Sequence, residues 1–237
     1  MSSWTDSWDS RLQELASAVM EGADLGHDLA HVERVVANAK RLLQTETADP
    51  AIVIPAAWLH DCVFVPKNSP DRSRASVLAS EKAIVLLAER EYPQALLAPI
   101  AHAIAAHSFS AGIPCETLEA QIVQDADRLE ALGAIGISRC LQTGALMKQR
   151  LYDPESPFPA QRSCEDQKQS IDHFFQKLFR LPGTMQTAAG RAEAQRRLGI
   201  MVQFLEALCD ELSASKSDLE ACLQSVGLHR SDGCLAR

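Results

Sequence analysis

The stretch "AAWLHDCV", residues 56–63, places His60 and Asp61 side by side in the middle of an apolar run. The longer segment "PAIVIPAAWLHDCVF", residues 50–64, is apolar almost all round, which predicts a central helix with Pro50 near its first turn. An unpartnered carboxylate buried beside an imidazole costs several kcal/mol. The pair therefore needs a partner, and either a hydrogen-bond network or a metal ion would serve.

The rest of the 237-residue chain has the same helical character. Apolar residues make up 46% of it, enough for a core, while aromatic residues are only 5% and β-branched runs are scarce, which favours helices over sheet. We find no internal repeat and no linker that separates domains. The sequence predicts an all-α, single-domain helical bundle over residues 1–215, followed by a weakly helical or mobile C-terminal tail over residues 216–237.

Charge and cysteine content restrict the class of protein. A net charge of −8 argues against a surface that coats a nucleic-acid polymer. The seven cysteines are scattered, odd in number and without C-x-x-C spacing, which is typical of thiols in a reducing compartment. The N-terminal segment is acidic where a signal peptide is basic, and no stretch approaches a membrane span. We predict a cytoplasmic protein with no membrane partner, and a homodimer remains open.

Several polar residues interrupt apolar helical faces: His31, His60, Asp61, His102, His107, Asp125 and Asp127. A helical bundle can bring such positions together at one point of its core. Two imidazoles and two carboxylates suit Mn²⁺, Fe²⁺, Co²⁺ or Mg²⁺, and four protein ligands leave two octahedral positions for water and substrate. Because a lone histidine in an apolar helix is more often a hydrogen-bonded core residue, a structural network stays open as the alternative.

The order of these residues along the chain is similar to a known pattern. "GHDLAHVERV" supplies a histidine, "AAWLHDCV" an adjacent His-Asp pair, and "QDADRLEALGAIG" a distant aspartate. In this the chain resembles the HD-domain metal-dependent phosphohydrolase superfamily. The segments "AHSFS", "DHFFQKL" and "MQTAAGR" follow in the order found in its YedJ/YpgQ-like branch. The resemblance covers nearly the whole chain and implies an HD-fold with a metal site in the core.

The resemblance implies a specific set of metal ligands, which are His31, His60, Asp61 and Asp127, and Asp61 is also predicted to be catalytic. Asp127 is preferred to Asp125 because the family's aspartate follows a small residue and precedes an apolar stretch, as in "ADRLEAL". A residue two positions earlier on a helix would point about 200° away. Asp125 is then either a partner of the ligands or an exposed residue.

The other histidines are assigned by position. Five residues turn an α-helix by about 500°, so His102 and His107 cannot share one face unless the helix ends between them. In two-metal branches of the family, histidines of this region bind a second ion, and in single-metal branches they hold substrate phosphates or a water. We predict the latter, with His107 catalytic and His102 substrate-binding. His27, one turn before His31, contacts substrate or caps a helix.

Cationic residues near the motifs are candidates for binding a phosphate. Arg34 follows His31 by three residues, on the same helical face, and is predicted to act in catalysis. The predicted substrate-binding cations are Lys67, Arg72, Arg74, Arg128, Lys177 and Arg191. For each of them the alternative is a solvated surface charge, and we expect that alternative to hold for at least half.

The resemblance implies hydrolysis of a small phosphorylated substrate, with a nucleotide as the favoured class. Characterised members of the branch cut a nucleoside triphosphate to monophosphate and pyrophosphate, and phosphomonoester cleavage stays open. A divalent ion, with Mn²⁺ preferred, would activate water as a metal-bound hydroxide. Two alternatives remain, a di-iron HD-fold oxygenase and a non-catalytic nucleotide-binding regulatory protein. Metal content and turnover distinguish all three.

Overall fold

The computed structural model describes residues 3–20, 28–65, 69, 71–231 and 234–236. These residues form ten α-helices and one short antiparallel hairpin, which confirms the predicted all-α class. The elements are α1 (Ser3–Val19), α2 (Leu29–Leu42), α3 (Pro50–Leu59), α4 (Ala75–Ala88), α5 (Gln94–His107), α6 (Leu118–Arg128), α7 (Gly133–Leu146), α8 (Asp172–Gln176), α9 (Ala188–Glu211), α10 (Lys216–Ser225), β1 (His229–Ser231) and β2 (Cys234–Ala236).

The chain divides into two compact units. The first comprises Met1–Glu130 and Gln186–Gly190, and the second Ala131–Met185 and Arg191–Arg237. Residues 216–237, predicted as a tail, contain α10 and the hairpin, and the boundary at residue 215 stays a prediction.

Among the described residues, no helix combines the length and apolar character needed to cross a membrane. The six cysteines with described side chains are free thiols, as expected.

Helix α3 lies at the centre of the first unit. It packs against α1, α2, α4, α5 and α6, and Val53, Ile54 and Leu59 are almost fully buried. The carboxylate of Asp49 accepts a hydrogen bond from the backbone N–H of Ala51 at 2.8 Å and caps the helix. The apolar pattern of residues 50–64 thus indicates the central helix, as predicted.

The end of α3 differs from the sequence prediction, which continued the helix to Phe64. The helix ends at Leu59, and the side chain of His60 turns back so that its Nδ1 lies 2.8 Å from the carbonyl oxygen of Ala57. This contact satisfies one of the carbonyls that a helix end leaves without an intrahelical partner. Consecutive residues inside a helix would point about 100° apart. Because the helix has ended, His60 and Asp61 can reach the same place.

The second unit has an aromatic core. The rings of Phe174 and Phe204 stack with centroids 6.0 Å apart, and Phe179 packs edge-on against Phe174. A prolonged irregular stretch before α8 is held by a buried ion pair, in which Nη2 of Arg162 donates to Oδ1 of Asp172 at 2.8 Å. Asp172 is fully buried, so this pairing offsets the cost of placing a carboxylate in the core.

Candidate metal centre

Four predicted ligands converge from three helices of the first unit. His31 lies in the first turn of α2, where the N-cap carboxylate of Asp28 accepts from its backbone N–H at 2.9 Å. His60 and Asp61 follow the last residue of α3, and Asp127 lies in the last turn of α6. Helix ends therefore carry every member of the cluster, which lets residues far apart in sequence meet without breaking a helix.

The donor atoms lie within a few ångströms of each other. Nε2 of His31 is 3.5 Å from Oδ1 of Asp127 and 3.9 Å from Oδ2 of Asp61. Nε2 of His60 is 3.6 Å from Oδ2 of Asp61 and 3.9 Å from Oδ1 of Asp127. Donors that bind one ion at about 2.0–2.2 Å lie about 3–4 Å apart, so these separations have the scale of a single metal site.

The cluster has a buried side and an open side. The side chains of His31 and His60 are 2% and 0% exposed, whereas those of Asp61 and Asp127 are 24% and 31% exposed. The imidazoles therefore form the inner wall and the carboxylates the rim. A small molecule can approach the cluster from the carboxylate side, where two coordination positions of an octahedral ion would remain.

The chemistry of the donors fits a divalent cation. Nδ1 of His60 is engaged by the carbonyl of Ala57, so the proton sits on Nδ1 and the lone pair on Nε2 points into the cluster. Within the described residues, this buried Nε2 makes no hydrogen bond. The carboxylates of Asp61 and Asp127 lie 3.6 Å and 3.9 Å from this nitrogen, and a positive charge beside them would favour their ionised forms. A cation at this position would satisfy both the nitrogen and the carboxylates.

His107 extends the cluster on one side. Its Nε2 lies 3.7 Å from Oδ1 of Asp61, and its ring stands nearly perpendicular to that of His60 with centroids 5.0 Å apart. As in His60, its Nδ1 contacts a carbonyl three residues earlier, that of Ile104, at 2.6 Å. Burial, and after it the neighbouring His60, lower the pKa of His107, which favours a neutral ring.

His102 lies away from the cluster although it shares α5 with His107. Its half-exposed ring accepts a hydrogen bond at Nε2 from the backbone N–H of Glu116 at 3.2 Å. The five-residue separation thus places the two histidines on different faces, as the helical rotation predicts. The predicted substrate role of His102 therefore has no support from a contact with the metal ligands.

Among the described residues, two overlapping sets of three could hold a metal ion, and neither set contains all four predicted ligands. One contains His31, His60 and Asp127, the other His60, Asp61 and His107, each with its donor atoms within 4.8 Å of one another. His60 belongs to both sets but offers only Nε2, because Nδ1 is engaged by Ala57. Both sets cannot be complete at once, which favours one ion with His107 beside it.

A buried carboxylate that sequence reasoning missed lies behind His31. Oε2 of Glu130 is 3.5 Å from Nδ1 of His31 and accepts from Nε of Arg34 at 2.6 Å. Nδ2 of Asn38 donates to Oε1 of Glu130 at 3.4 Å and to the carbonyl of Ala126 at 3.1 Å. Burial opposes ionisation, but hydrogen bonds from His31 and Arg34 outweigh it and lower the pKa of Glu130. The sequence feature that could have indicated this contact is the presence of two polar residues, Asn38 and Glu130, among apolar neighbours.

The predicted cations are distributed over the molecule. Arg34 is engaged by Glu130, and Arg74 is exposed and 3.6 Å from Asp71. Arg128 is half-buried and interacts electrostatically with Asp125 and Asp127. Lys177 and Arg191 are exposed residues of the second unit, where Arg191 donates to the carbonyl of Met185 at 3.1 Å. His27, Lys67 and the side chain of Arg72 lie outside the described part of the chain.

Asp125 has a role of its own in the first unit. It is fully buried, so the exposed alternative is wrong. Its Oδ1 accepts from the backbone N–H of Gln186 at 2.9 Å, and its Oδ2 accepts from both the backbone N–H and the hydroxyl of Thr187 at 2.8 Å. The carboxylate therefore fixes residues 186 and 187 rather than facing the metal ligands.

Comparison with known proteins agrees with this architecture. Residues 28–132 match the family model described as HD domain. The chain is 31% identical over 204 residues to YpgQ of Bacillus subtilis (strain 168), covering 84% of this chain and 90% of YpgQ. The fold is therefore that of an HD-domain protein, and the chain belongs to the HD-domain family. Within that family it is a homologue of YpgQ.

Solved structures show the same relationship. An HD-superfamily hydrolase from Bacillus thuringiensis superposes with a TM-score of 0.70 at 29% identity, over 89% of this chain and all of that one. B. subtilis YpgQ, solved in complex with ADP, gives a TM-score of 0.66 at 28% identity, over 86% of this chain and 97% of that one. These similarities confirm the predicted HD-fold and its relation to hydrolases.

Proposed function

We propose that this protein is a metal-dependent phosphohydrolase whose substrate is a small nucleotide, with Mn²⁺ as the favoured ion. The observation that carries the proposal is the buried Nε2 of His60, which faces two carboxylates and, within the described residues, makes no hydrogen bond. The ADP complex of YpgQ supports a nucleotide ligand. The net charge of −8 fits a small ligand better than a nucleic-acid polymer.

The proposed division of labour follows from the geometry. His31, His60, Asp61 and Asp127 would hold the ion, which when bound lowers the pKa of water and polarises a phosphoryl oxygen. The rim position of the two carboxylates leaves substrate and water on the solvent side. His107, neutral and 3.7 Å from Asp61, offers Nε2 to accept a proton or a hydrogen bond beside the reacting phosphate.

The experiment is a screen of purified protein against nucleoside mono-, di- and triphosphates with Mn²⁺, Mg²⁺, Co²⁺ and Fe²⁺, with metal content measured beforehand. We expect one bound ion and metal-dependent turnover. Pyrophosphate released from a triphosphate would support cleavage to the monophosphate, whereas inorganic phosphate would support phosphomonoesterase or terminal-phosphate cleavage. Asp61→Ala serves as the inactive control.

Two outcomes would contradict the proposal. Two oxidisable irons per chain, with no nucleotide turnover, would favour the oxygenase. One tightly bound ion and nucleotide binding without hydrolysis would favour the regulatory protein. Because His60 can ligate through only one nitrogen, we expect the single-ion result.

A further inference from the structure

We propose that Glu130 is the residue that positions His31 for metal binding, and that Arg34 acts through Glu130 rather than directly on a phosphate. The inference rests on the proposed metal centre. It concerns residues on the inner side of that centre, away from the carboxylate rim.

The first step is the orientation of His31. To bind a metal through Nε2, an imidazole must carry its proton on Nδ1, and an acceptor beside Nδ1 fixes both that tautomer and the ring plane. His60 and His107 use a carbonyl three residues earlier in their own helices. His31 lies in the first turn of α2, and there the atom beside its Nδ1 is Oε2 of Glu130, 3.5 Å away.

The second step is what holds Glu130 in place. Its side chain is only 3% exposed, so a carboxylate at this position needs hydrogen-bonding partners. Nε of Arg34 donates to Oε2 at 2.6 Å, and Nδ2 of Asn38 lies 3.4 Å from Oε1. Asn38 also donates to the carbonyl of Ala126, one residue before Asp127. Arg34 and Asn38 thus hold the two oxygens of Glu130, and Asn38 also connects this carboxylate to α6, the helix that contains Asp127.

The third step concerns Arg34. It lies one turn after His31 on α2, so its spacing alone suggests a phosphate ligand. Its Nε is committed to the oxygen of Glu130 that also faces His31. An arginine bound in this way holds the carboxylate in place beside Nδ1 of His31, so we expect removal of the arginine to weaken metal binding by freeing the His31 ring.

The experiment measures Mn²⁺ affinity without nucleotide, by calorimetry, for Glu130→Gln, Arg34→Gln and the double variant. The matched control is Glu33→Gln, which removes a charge from α2 at an exposed glutamate whose Oε1 accepts a hydrogen bond from Nε2 of Gln13 at 2.9 Å. We expect Glu130→Gln to weaken Mn²⁺ binding by about 10- to 100-fold relative to the control. Arg34→Gln should also weaken it, and the double variant should be no weaker than Glu130→Gln alone, because both act on one interaction.

A second readout follows the ring itself. In metal-free protein, ¹⁵N NMR of the imidazoles should place the His31 proton on Nδ1 in the wild type and in Glu33→Gln, and a mixture of tautomers in Glu130→Gln. Mn²⁺ affinity of Glu130→Gln equal to that of the control would overturn the proposal. So would an Arg34→Gln protein with unchanged Mn²⁺ affinity and a raised KM for nucleotide, since that pattern indicates direct phosphate binding.

These outcomes are separable from failure of the proposed function. A wild type that binds Mn²⁺ but hydrolyses no nucleotide would refute the hydrolase and leave the affinity comparison intact. If the wild type does not bind Mn²⁺, the tautomer of His31 still decides whether Glu130 orients the ring. If Glu130→Gln fails to fold, Arg34→Gln decides the question through the same two measurements.

Discussion

Nε2 of His60 lies 3.9 Å from Oδ1 of Asp127, although the two residues stand at the ends of different helices, α3 and α6. The imidazole is fully buried and the carboxylate is on the rim. A neutral nitrogen lone pair and an anionic oxygen that face one another gain nothing from the contact itself. A cation between them makes the same arrangement favourable, and the ligand variants test this directly.

Asp61→Ala should remove the metal and the activity together. Its Oδ2 faces His60 at 3.6 Å and its Oδ1 faces His107 at 3.7 Å, so one carboxylate serves both sides of the cluster. We expect Mn²⁺ affinity to fall by more than about 100-fold, beyond the effect of losing a supporting residue. Metal content after dialysis measures the loss, with exposed Asp71→Ala as the control. Stoichiometric metal in Asp61→Ala would refute its assignment as a ligand.

His107→Ala should lower turnover while the metal stays bound. The ring stands beside the ligands, so its removal deletes a proton acceptor or phosphate contact, worth about 10²- to 10⁴-fold in kcat. His102→Ala, on the same helix but bonded to the backbone of Glu116, should retain most of the activity. Loss of one of two metal equivalents in His107→Ala would instead assign His107 to a second ion.

Gly190→Ala should destabilise the protein without touching the metal ligands. A Cβ at this position would lie 2.2 Å from Oδ2 of Asp125 and 2.8 Å from Oγ1 of Thr187. Either the helix start or the carboxylate must move, at a cost of about 1–3 kcal/mol. Thermal unfolding measures it. Ala188→Gly, at an exposed position two residues earlier, is the control. A melting temperature of Gly190→Ala equal to or above that of the wild type would contradict the predicted crowding.

Glu193→Gln should reduce the amount by which the free energy of unfolding falls as the pH is lowered. Hydrogen bonding from Arg196 is the main cause that lowers the pKa of Glu193 to about 2, against a smaller opposing effect of burial. A folded-state pKa below the unfolded value of about 4.3 gives stability that is present above that pH and lost as pH falls toward 2. Arg196 is largely exposed, so we expect about 1 kcal/mol or less.

Urea unfolding on both sides of that pH window measures the effect, with exposed Glu89→Gln as the control. On acidification the wild type and the Glu89→Gln variant should lose the stability that ionised Glu193 contributes. The Glu193→Gln variant lacks that contribution and should not show the loss. Parallel pH profiles for Glu193→Gln and wild type would show that the ion pair contributes no net stability.

Local features of the sequence were sufficient to predict the helices, whereas the candidate ligands were chosen by the family resemblance and stay a prediction. Apolar periodicity marks α2 and α6, and an apolar run marks α3. The polar residues that interrupt these faces are the candidates from which the resemblance selects His31, His60 and Asp127. Helical rotation separates His102 from His107, as found. The helices and the separation of the two histidines could be predicted because each depends on neighbours within a few turns of one helix.

What the sequence did not reveal depends on contacts between helices. The end of α3 at Leu59 is stabilised by the bond from His60 to Ala57, and apolar composition alone favours a longer helix. Arg34 lies on the expected face, but its partner Glu130 comes from beyond α6. Asp125 could not be assigned, because Gln186 and Thr187, which bind it, are remote in the chain.

The last prediction separates the two aspartates of "QDADRLEALG", where an error of two residues would misplace a ligand. Asp127→Asn should lose the metal strongly, because an amide oxygen is a poorer donor and carries no charge to balance the ion. Its fold should persist, since the carboxylate is on the solvent side of the cluster. Far-ultraviolet circular dichroism and metal content, measured on the same sample, test both statements.

Asp125→Asn should show the opposite pattern. The amide can accept only through one oxygen, so at least one of the three hydrogen bonds from Gln186 and Thr187 is lost in a buried place, which costs about 1–3 kcal/mol. We expect a lower melting temperature with metal affinity reduced far less than in Asp127→Asn. If Asp127→Asn keeps its metal while Asp125→Asn loses it, the ligand is Asp125, and the hydrogen bonds that hold residues 186 and 187 must rearrange when the ion binds.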